Sequence, residues 1–406
     1  MTWRTETVGT LCDRFGGEVQ TGPFGSQLHA SDYQDEGTPV VMPQDLIDGR
    51  ISTRSIAKVG QSHVLRMPQH VLRRGDIVFS RRGDVARFAI VNEREEGWIC
   101  GTGCLRIRLN SHEVLSDYLR HFLSLSSTKA WLEHHSRGVT MANTNTSTLR
   151  ELPLRYPSVD VQRRICSILD KADAIRRKRQ EAIALTEQLL RSTFLEMFGD
   201  PVTNPKRWPI VDLRSHILGM DAGWSANGEP RLKQGDEWGV LKVSAVSSGW
   251  FRPEEHKAVA AVDDTSSLIV AKRGDLLFSR ANTRELVAAT CLVEQDESRL
   301  FLPDKLWRIR PAPGSLTPEY LRFVLSDPTI QAGIAKVATG TSGSMLNVSK
   351  EKVADLKLPL PPLERQREFV GLVWRILKMR NQATNAARET DTLFHSLVQR
   401  AFSGQL

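Results

Sequence analysis

From Val161 to Phe198 apolar residues return at helical spacing through a stretch that holds neither Gly nor Pro, VQRRICSILDKADAIRRKRQEAIALTEQLLRSTFLEMF. The spacing predicts one long helix. Asp160 is placed to cap its start, and Gly199 followed by Asp200-Pro201 supplies the stop. At about 1.5 Å per residue this is a rod of roughly 57 Å. Along it Val161, Ile165, Ile168, Ala172, Ile175, Ile183, Leu190, Phe194 and Met197 trace one drifting stripe, interrupted at Arg179. The pattern is written again from Arg365 to Phe402, where adding 204 to each number finds Phe369, Leu372, Ile376, Met379, Ala387, Phe394, Val398 and Ala401. A solitary apolar stripe of that length is an aggregation hazard. The pair therefore predicts an intramolecular seam of coiled-coil type, centred on Ile165, Ile168, Ile175 and Leu190 of the first helix and Phe369, Leu372, Ile376 and Phe394 of the second. The competing assignment, in which each helix covers only its neighbouring domain, stays open.

The repetition extends beyond the helices, and repeats are sought before motifs. Trp3, Val8 and Leu11 are matched by Trp208, Val211 and Leu213; GTPVVMPQDLIDGRI (37 to 51) parallels GVLKVSAVSSGWF (239 to 251); RRGDIVFSR (73 to 81) meets KRGDLLFSR (272 to 280) almost letter for letter. LRIR (105 to 108) then meets WRIR (307 to 310), and DYLRHFLS (117 to 124) meets EYLRFVLS (319 to 326). Glycine- and hydroxyl-rich segments follow at 136 to 149 and 338 to 353, each leading through Leu-Pro-Leu into a long helix. Within each copy, short runs such as VVMP, DIVFS, RFAIV and CLRIRL read as strands between Gly-rich turns, with one helix near 115 to 125 and its copy near 318 to 326. Strands dominate and helices are few, so the fold class is α+β: two tandem mixed domains, each followed by a long helix, with the two helices pairing as an antiparallel coiled coil. The expected boundaries are 1–158, 159–200, 201–362 and 363–406.

Composition narrows the picture modestly. A chain of 406 residues with 40% hydrophobic content can bury two ordinary cores, and a formal charge of +8 suits a phosphate-rich partner. No run approaches the roughly 20 apolar residues that span a bilayer, and the start MTWRTETVGT has no signal-peptide core, so no membrane is expected and the expected location is cytoplasmic. Five cysteines, at 12, 100, 104, 166 and 291, form no disulfide framework and no paired zinc motif.

Searches for catalysis return little. There is no Gly-Lys dipeptide for a phosphate-binding loop and no Asn-Pro-Pro-aromatic or Asp-Pro-Pro-aromatic tetrapeptide of the amino-methyltransferase kind. Turn glycines in RFGGEV and GPFGSQ lack the strand-loop-helix setting of a cofactor loop. Asp304 with Asp355 is a poor metal-nuclease pair, and His134-His135 diverge on any regular element, so no catalytic or metal site is expected. Binding chemistry remains, in the loops. Arg81, Arg82 and Arg87 follow the first Phe-Ser strand end; Arg280, Asn282 and Arg284 follow the second. Arg137, Thr140, Asn143 and Asn145, and in the second copy Thr341, Ser342 and Asn347, complete the candidate set. Arg presents a fork for guanine edges or phosphate, Asn does the same for adenine, and Ser and Thr serve either. Singly, each is also ordinary turn chemistry. The basic run Arg176 to Arg179 reads as a solvated helix face.

Two mixed domains, each with a GD-hydrophobic-hydrophobic-Phe-Ser-Arg core, then Leu-Pro-Leu, a Pro-led turn, a Gln-Arg dipeptide and a long helix, resemble the specificity subunit of type I restriction-modification systems. GPFGSQL (22 to 28), the paired RGD-IVFSR and RGD-LLFSR, VQRRICSILDKAD (161 to 173), PPLERQREF (361 to 369) and the FGDPVTNPKRWP junction (198 to 209) carry the resemblance. It implies a non-catalytic reader of double-stranded DNA. Each target recognition domain would read one part of a bipartite sequence, while the helices fix the gap and dock two methyltransferase subunits, with restriction subunits joining that core. S-adenosylmethionine, ATP and Mg would belong to those partners, with no cofactor in this chain. A rod of roughly 57 Å compares with some 17 base pairs at about 3.4 Å each. The recognition subunit of a type II system that cuts on both sides of its site, and a duplicated helical scaffold that binds protein only, are the alternatives.

Overall fold

The near-verbatim RGD motif of each copy is a turn that starts a central strand. In the computed structural model, which describes residues 3–25, 27–136, 142–260, 262, 265–340 and 345–406, Gly75 and Gly274 take φ of +86° and +89°, the left-handed conformation glycine adopts without penalty. The aspartate that follows turns back on its own loop: Asp76 accepts from the Arg73 N–H at 2.8 Å, and Asp275 from the Lys272 N–H at 2.9 Å. Asp76 is also gripped by both arms of Arg108, at 2.7 and 2.6 Å. The motif's repetition is thus explained by the turn and by the arginines of the adjacent LRIR and WRIR strands.

The chain divides into two compact units, Met1–Lys178 with Ala387–Leu406, and Arg179–Ala386. In the first, an antiparallel sheet runs in the order Glu18–Thr21, Cys104–Arg108, Ile77–Ser80, Phe88–Ile90. A second sheet orders Ile99–Cys100, Thr38–Val41, Ala57–Val59 and Tyr33–Gln34, and the pair Arg4–Thr7 with Pro153–Tyr156 ties the start of the domain to the segment before its long helix. The second unit repeats this plan. Its main sheet is Ile217–Ala222, Leu306–Pro311, Leu276–Ser279, Thr290–Leu292, beside a smaller sheet of His256–Val259, Trp238–Leu241 and Leu300–Phe301, and Ile210–Asp212 pairs with Lys357–Pro359. The helices foreseen near 115 and 318 are Ser116–Leu123 and Pro318–Leu325. Each is followed at once by a second, Ser126–His135 and Pro328–Val337, which the sequence reading did not anticipate. No helix among the described residues is long and apolar enough to cross a membrane.

The long helices span Val159–Phe198 and Leu363–Ser403. The first begins before Asp160, which lies in its opening turn and pairs with Arg163 at 3.1 Å instead of capping the end. Its far end stops at Gly199, φ +79°, where Lys206 donates to the Met197 carbonyl at 3.1 Å and the Trp208 indole to that of Phe198 at 2.9 Å, satisfying acceptors that no longer have helical partners.

The start of each long helix is fastened by a buried glutamine. Gln162, fully buried, donates from its amide to the carbonyls of Glu113 (2.7 Å) and Pro157 (2.9 Å) and accepts from the Leu115 N–H (2.9 Å). Gln366, equally buried, donates to Ser315 (3.1 Å) and Pro361 (2.9 Å) and accepts from the Thr317 N–H (2.9 Å). Alongside, the Tyr118 hydroxyl donates to the Arg155 carbonyl and the Tyr320 hydroxyl to that of Pro359, both at 2.6 Å.

In each unit the start of one long helix packs against the end of the other. Ile165 and Leu169 share the first unit's core with Ala401, and Phe394, Val398 and Phe402 pack against it, Phe402 lying 5.5 Å from Tyr118. In the second unit Leu190, Phe194 and Phe198 join Phe369, Val373 and Ile376; Phe198 meets Phe369 edge to face at 5.3 Å. The direction is antiparallel in both: Arg176 lies over Phe394 while Arg155 reaches Phe402, and Arg380 meets Glu187 while Phe369 meets Phe198. The helices thus pair and also cover their domains, so the assignment in which each helix covers only its neighbouring domain does not hold. Of the expected seam residues, Ile165, Leu190, Phe369 and Ile376 are buried, Ile168, Leu372 and Phe394 are half-buried, and Ile175 keeps 50% of its surface exposed. The first helix keeps turning at 3.6 residues per turn, and Leu169, off the expected stripe, is fully buried in its place.

Replacing Gln366 by Leu strands an N–H and two carbonyls in the core, a loss of about 2–4 kcal/mol. At 2–4 °C per kcal/mol for a unit of this size, thermal unfolding should show the melting transition that contains this unit lowered by about 5 °C or more, whereas Arg163→Ala, at an exposed ion pair, should leave Tm within a degree or so.

Candidate nucleic-acid interface

The strand Ile77–Ser80 delivers the chain into the loop that holds Arg81, Arg82 and Arg87, and the backbones of two other segments are bonded to that loop. The Arg81 N–H donates to the Gly103 carbonyl at 2.8 Å, the Thr144 N–H to the Arg81 carbonyl at 2.9 Å, and the Gly83 N–H to that of Ala142 at 3.0 Å, with Arg82 and Asn143 paired as an antiparallel bridge. The Gly22 N–H closes the group by donating to Cys104 at 2.9 Å. The fold therefore brings together the Arg81-Arg82 and Asn143 segments, which are some 60 residues apart in sequence.

The second unit uses the same frame. The Arg280 N–H donates to the Lys305 carbonyl at 3.1 Å, the Val348 N–H to the Arg280 carbonyl at 3.0 Å, and Ala281–Asn282 pairs antiparallel with Leu346–Asn347. Arg280 stands where Arg81 stands in the first copy, and Asp304 where Thr102 stands.

Side-chain bonding separates the copies. Among the described residues, nine buried side-chain polar atoms lack a hydrogen-bond partner, and four of them lie here in the first unit: Arg81 Nε, Thr102 Oγ1, Asn143 Oδ1 and Thr144 Oγ1. Buried polar groups are nearly always paired, because leaving one unpaired costs about 1–3 kcal/mol. Thr144 is fully buried and Arg81, Thr102 and Asn143 are half-buried, so this junction of segments holds polar capacity that its own fold leaves unused. In the second unit Arg280 is held instead: its Nε donates to the Asp304 carbonyl at 2.9 Å and its Nη2 lies 3.3 Å from the Asp304 carboxylate, which also takes the Ser225 hydroxyl. Burial pushes the Asp304 carboxyl up, but Ser225 and Arg280 outweigh it and hold it below the usual carboxylate range.

The remaining candidates divide by how much of their bonding capacity is already used. Arg82 and Arg284 are exposed. Arg87 leans on Asp84 (3.6 Å) and the Pro43 carbonyl (3.4 Å) and stays largely open. Asn145 caps the helix Thr146–Glu151, its Oδ1 accepting from the Thr148 N–H at 2.9 Å and the Ser147 hydroxyl at 2.6 Å, so its oxygen is spent on local structure. Asn282 is tied at both ends, donating to Ser247 at 3.1 Å and accepting from the Thr283 N–H at 2.9 Å. Asn347 exchanges backbone bonds with Thr339 at 2.7 and 2.8 Å. Arg137, Thr140, Thr341 and Ser342 lie outside the described residues. Sequence reasoning passed over Thr102, Thr144, Ser225 and Asp304 as parts of this surface. The glycines flanking Thr102 were the available signal, since a Cβ on Gly101 would fall 2.6 Å from the Val41 carbonyl oxygen.

The residues considered for catalysis are otherwise engaged. Asp355 pairs with Arg214 at 2.6 Å, His135 stacks on Trp131 at 4.0 Å, all five cysteines are free and buried, and no group of three or more His, Cys, Asp or Glu side chains among the described residues could hold a metal. Arg176 and Arg177, read as solvated, pair with Asp173 at 3.4 and 3.2 Å.

Residues 27–185 match the family model described as type I restriction modification DNA specificity domain. The type I restriction enzyme EcoEI specificity subunit of Escherichia coli is 26% identical over 217 residues, 52% of this chain and 36% of that protein. The putative type I restriction enzyme MjaX specificity subunit of Methanocaldococcus jannaschii is 30% identical over 42% of this chain and 39% of its own length, and the EcoBI specificity subunit of Escherichia coli is 24% identical over 47% and 41%. The matches thus span well under two thirds of these relatives. The solved type I restriction-modification S subunit from M. genitalium shares the fold, with a TM-score of 0.62 over 99% of this chain and 96% of that one at 14% identity. On the family match and these relatives, the chain is similar to type I restriction-modification specificity subunits over part of its length, and it shares their fold.

Proposed function

We propose that this chain is the non-catalytic DNA-reading subunit of a type I restriction-modification complex. Each domain reads one part of a bipartite double-stranded target through the loops around Arg81 and Arg280. The paired long helices set the unspecified gap and give docking surface to two methyltransferase subunits, to which restriction subunits attach. S-adenosylmethionine, ATP and Mg act in those partners.

The observation that carries this reading is the cluster of unpartnered polar atoms at Arg81, Thr102, Asn143 and Thr144, set on a backbone frame that the second copy repeats with different side chains. Half-buried Arg81, Thr102 and Asn143 beside the exposed Arg82 guanidinium carry donors and acceptors of the kind that base edges complement, and the exposed arginines suit phosphate. A constant frame with differing side chains is what two unlike half-sites require.

The test is binding by the chain assembled with its methyltransferase subunits, measured by fluorescence anisotropy on the duplex the complex methylates. Asn143→Ala should weaken binding to that duplex about tenfold and relax selectivity at one base pair, since a lost base contact is worth about 1–3 kcal/mol. Arg82→Ala should weaken cognate and random duplexes alike and lower the slope of log K against log salt by about one, as expected of a phosphate contact. A wild-type complex that shows no preference for its methylated duplex would sink the proposal.

A further inference from the structure

We infer that each reading surface also carries one aromatic wedge, Phe24 in the first unit and Trp224 in the second, which stacks on a base face within its half of the target; the inference rests on the DNA reading proposed above. Protein folding normally hides such side chains. Of the phenylalanines and tryptophans among the described residues, these two alone are exposed, Phe24 by 58% and Trp224 by 51%. They occupy the same loop of the two copies, directly after the first strand of the main sheet, one per reading surface.

Both are held, not loose. Each follows a glycine pressed against the end of a neighbouring strand: a Cβ would fall 2.1 Å from the Gly101 carbonyl oxygen at Gly22 and 1.9 Å from that of Leu302 at Gly223. The Trp224 N–H then donates to the Leu302 carbonyl at 3.0 Å, and its indole stacks on buried Phe301 at 6.0 Å with 15° between the planes, leaving its other face open. In the first copy the Phe24 N–H donates to the Gln27 side chain at 3.0 Å, and the Phe24 carbonyl accepts from the Gln27 N–H at 2.8 Å.

The loop of each ring is bonded into the frame that carries the reading residues. Ser225, next to Trp224, bonds the Asp304 carboxylate that holds Arg280. Gly22, two residues before Phe24, is bonded to Cys104, the neighbour of the Gly103 carbonyl that receives the Arg81 N–H. An exposed ring on the same frame as arginine and hydroxyl donors suits a base: the polar groups take edges and phosphates while the ring takes the π-face. Apolar side chains inserted between base steps act in this way in proteins that unstack DNA. Pre-ordering of the rings by their loops lowers the entropic cost of the contact.

The experiment uses the chain assembled with its methyltransferase subunits and the methylated duplex, with 2-aminopurine placed at one position at a time. The methylated adenines are left out, because extrusion of the target base would brighten the probe there for a different reason. The wild-type complex should raise the fluorescence at one position in each half. Phe24→Ala should abolish the rise in one half and Trp224→Ala in the other, each with roughly tenfold weaker binding, while Trp224→Phe keeps most of both. Unchanged melting temperatures would show that the exposed substitutions leave the fold intact. If the wild-type complex prefers its duplex but both alanine variants bind and brighten the probe as it does, the wedge is overturned alone; absence of any wild-type preference overturns the DNA reading beneath it.

Discussion

The rest of the structure depends on one buried glutamine at the start of each long helix. Gln162 and Gln366 each satisfy two carbonyls and one N–H at the point where a domain turns into its long helix. A buried amide with its oxygen and both its N–H groups engaged fixes both the direction and the rotation of the helix it begins, because any other rotation would leave buried polar groups unpaired. Rotation decides which residues face the core. With Gln162 locked, Ile165 and Leu169 point inward; with Gln366 locked, Phe369 and Val373 do. Each then meets the end of the other helix, so the seam follows from two local locks and two short apolar patches, not from one uninterrupted stripe.

On that frame the chain separates constancy from variation. The elements repeated almost unchanged are structural: the RGD turn with its aspartate bonded to its own loop, the tyrosine hydroxyl that ties down the pre-helix strand, the arginines of the central strand. The elements that differ stand at the strand ends. Where the first copy has Thr102 and an Arg81 whose Nε lacks a partner, the second has Asp304 holding Arg280. One backbone can therefore offer two chemically distinct surfaces, the first with vacant donors and acceptors, the second with a guanidinium already oriented by a carboxylate. The exposed aromatics sit on the same line of division, alike in position and different in kind.

Much of this was legible in the sequence, for identifiable reasons. The long helices declared themselves through their periodicity and lack of Gly and Pro, and the duplicated sheet through RGD-hydrophobic-hydrophobic-Phe-Ser, because those letters encode a turn and a buried strand that need no distant partner to be recognised. The drift of the stripe was less readable: Ile175 fits a straight template but turns outward on a real helix, while Leu169 turns in. The second helix of each domain, Ser126–His135 and Pro328–Val337, was lost because its polar-rich start reads as loop until the preceding helix supplies its packing partner. At the interface, types of residue were visible but not their engagements. Asn145 and Asn282 look like Asn143 on paper, and only the fold shows that the first caps a helix, the second is bonded at both ends, and the third keeps a vacant oxygen.

The central claim is that this chain confers a bipartite specificity on a methyltransferase partner. Single-molecule sequencing of the native genome, with and without the gene, addresses it most directly. The account predicts loss of methyladenine at one bipartite, gapped motif when the gene is removed. Methylation left unchanged at every motif, while an intact methyltransferase partner is being made, would contradict it.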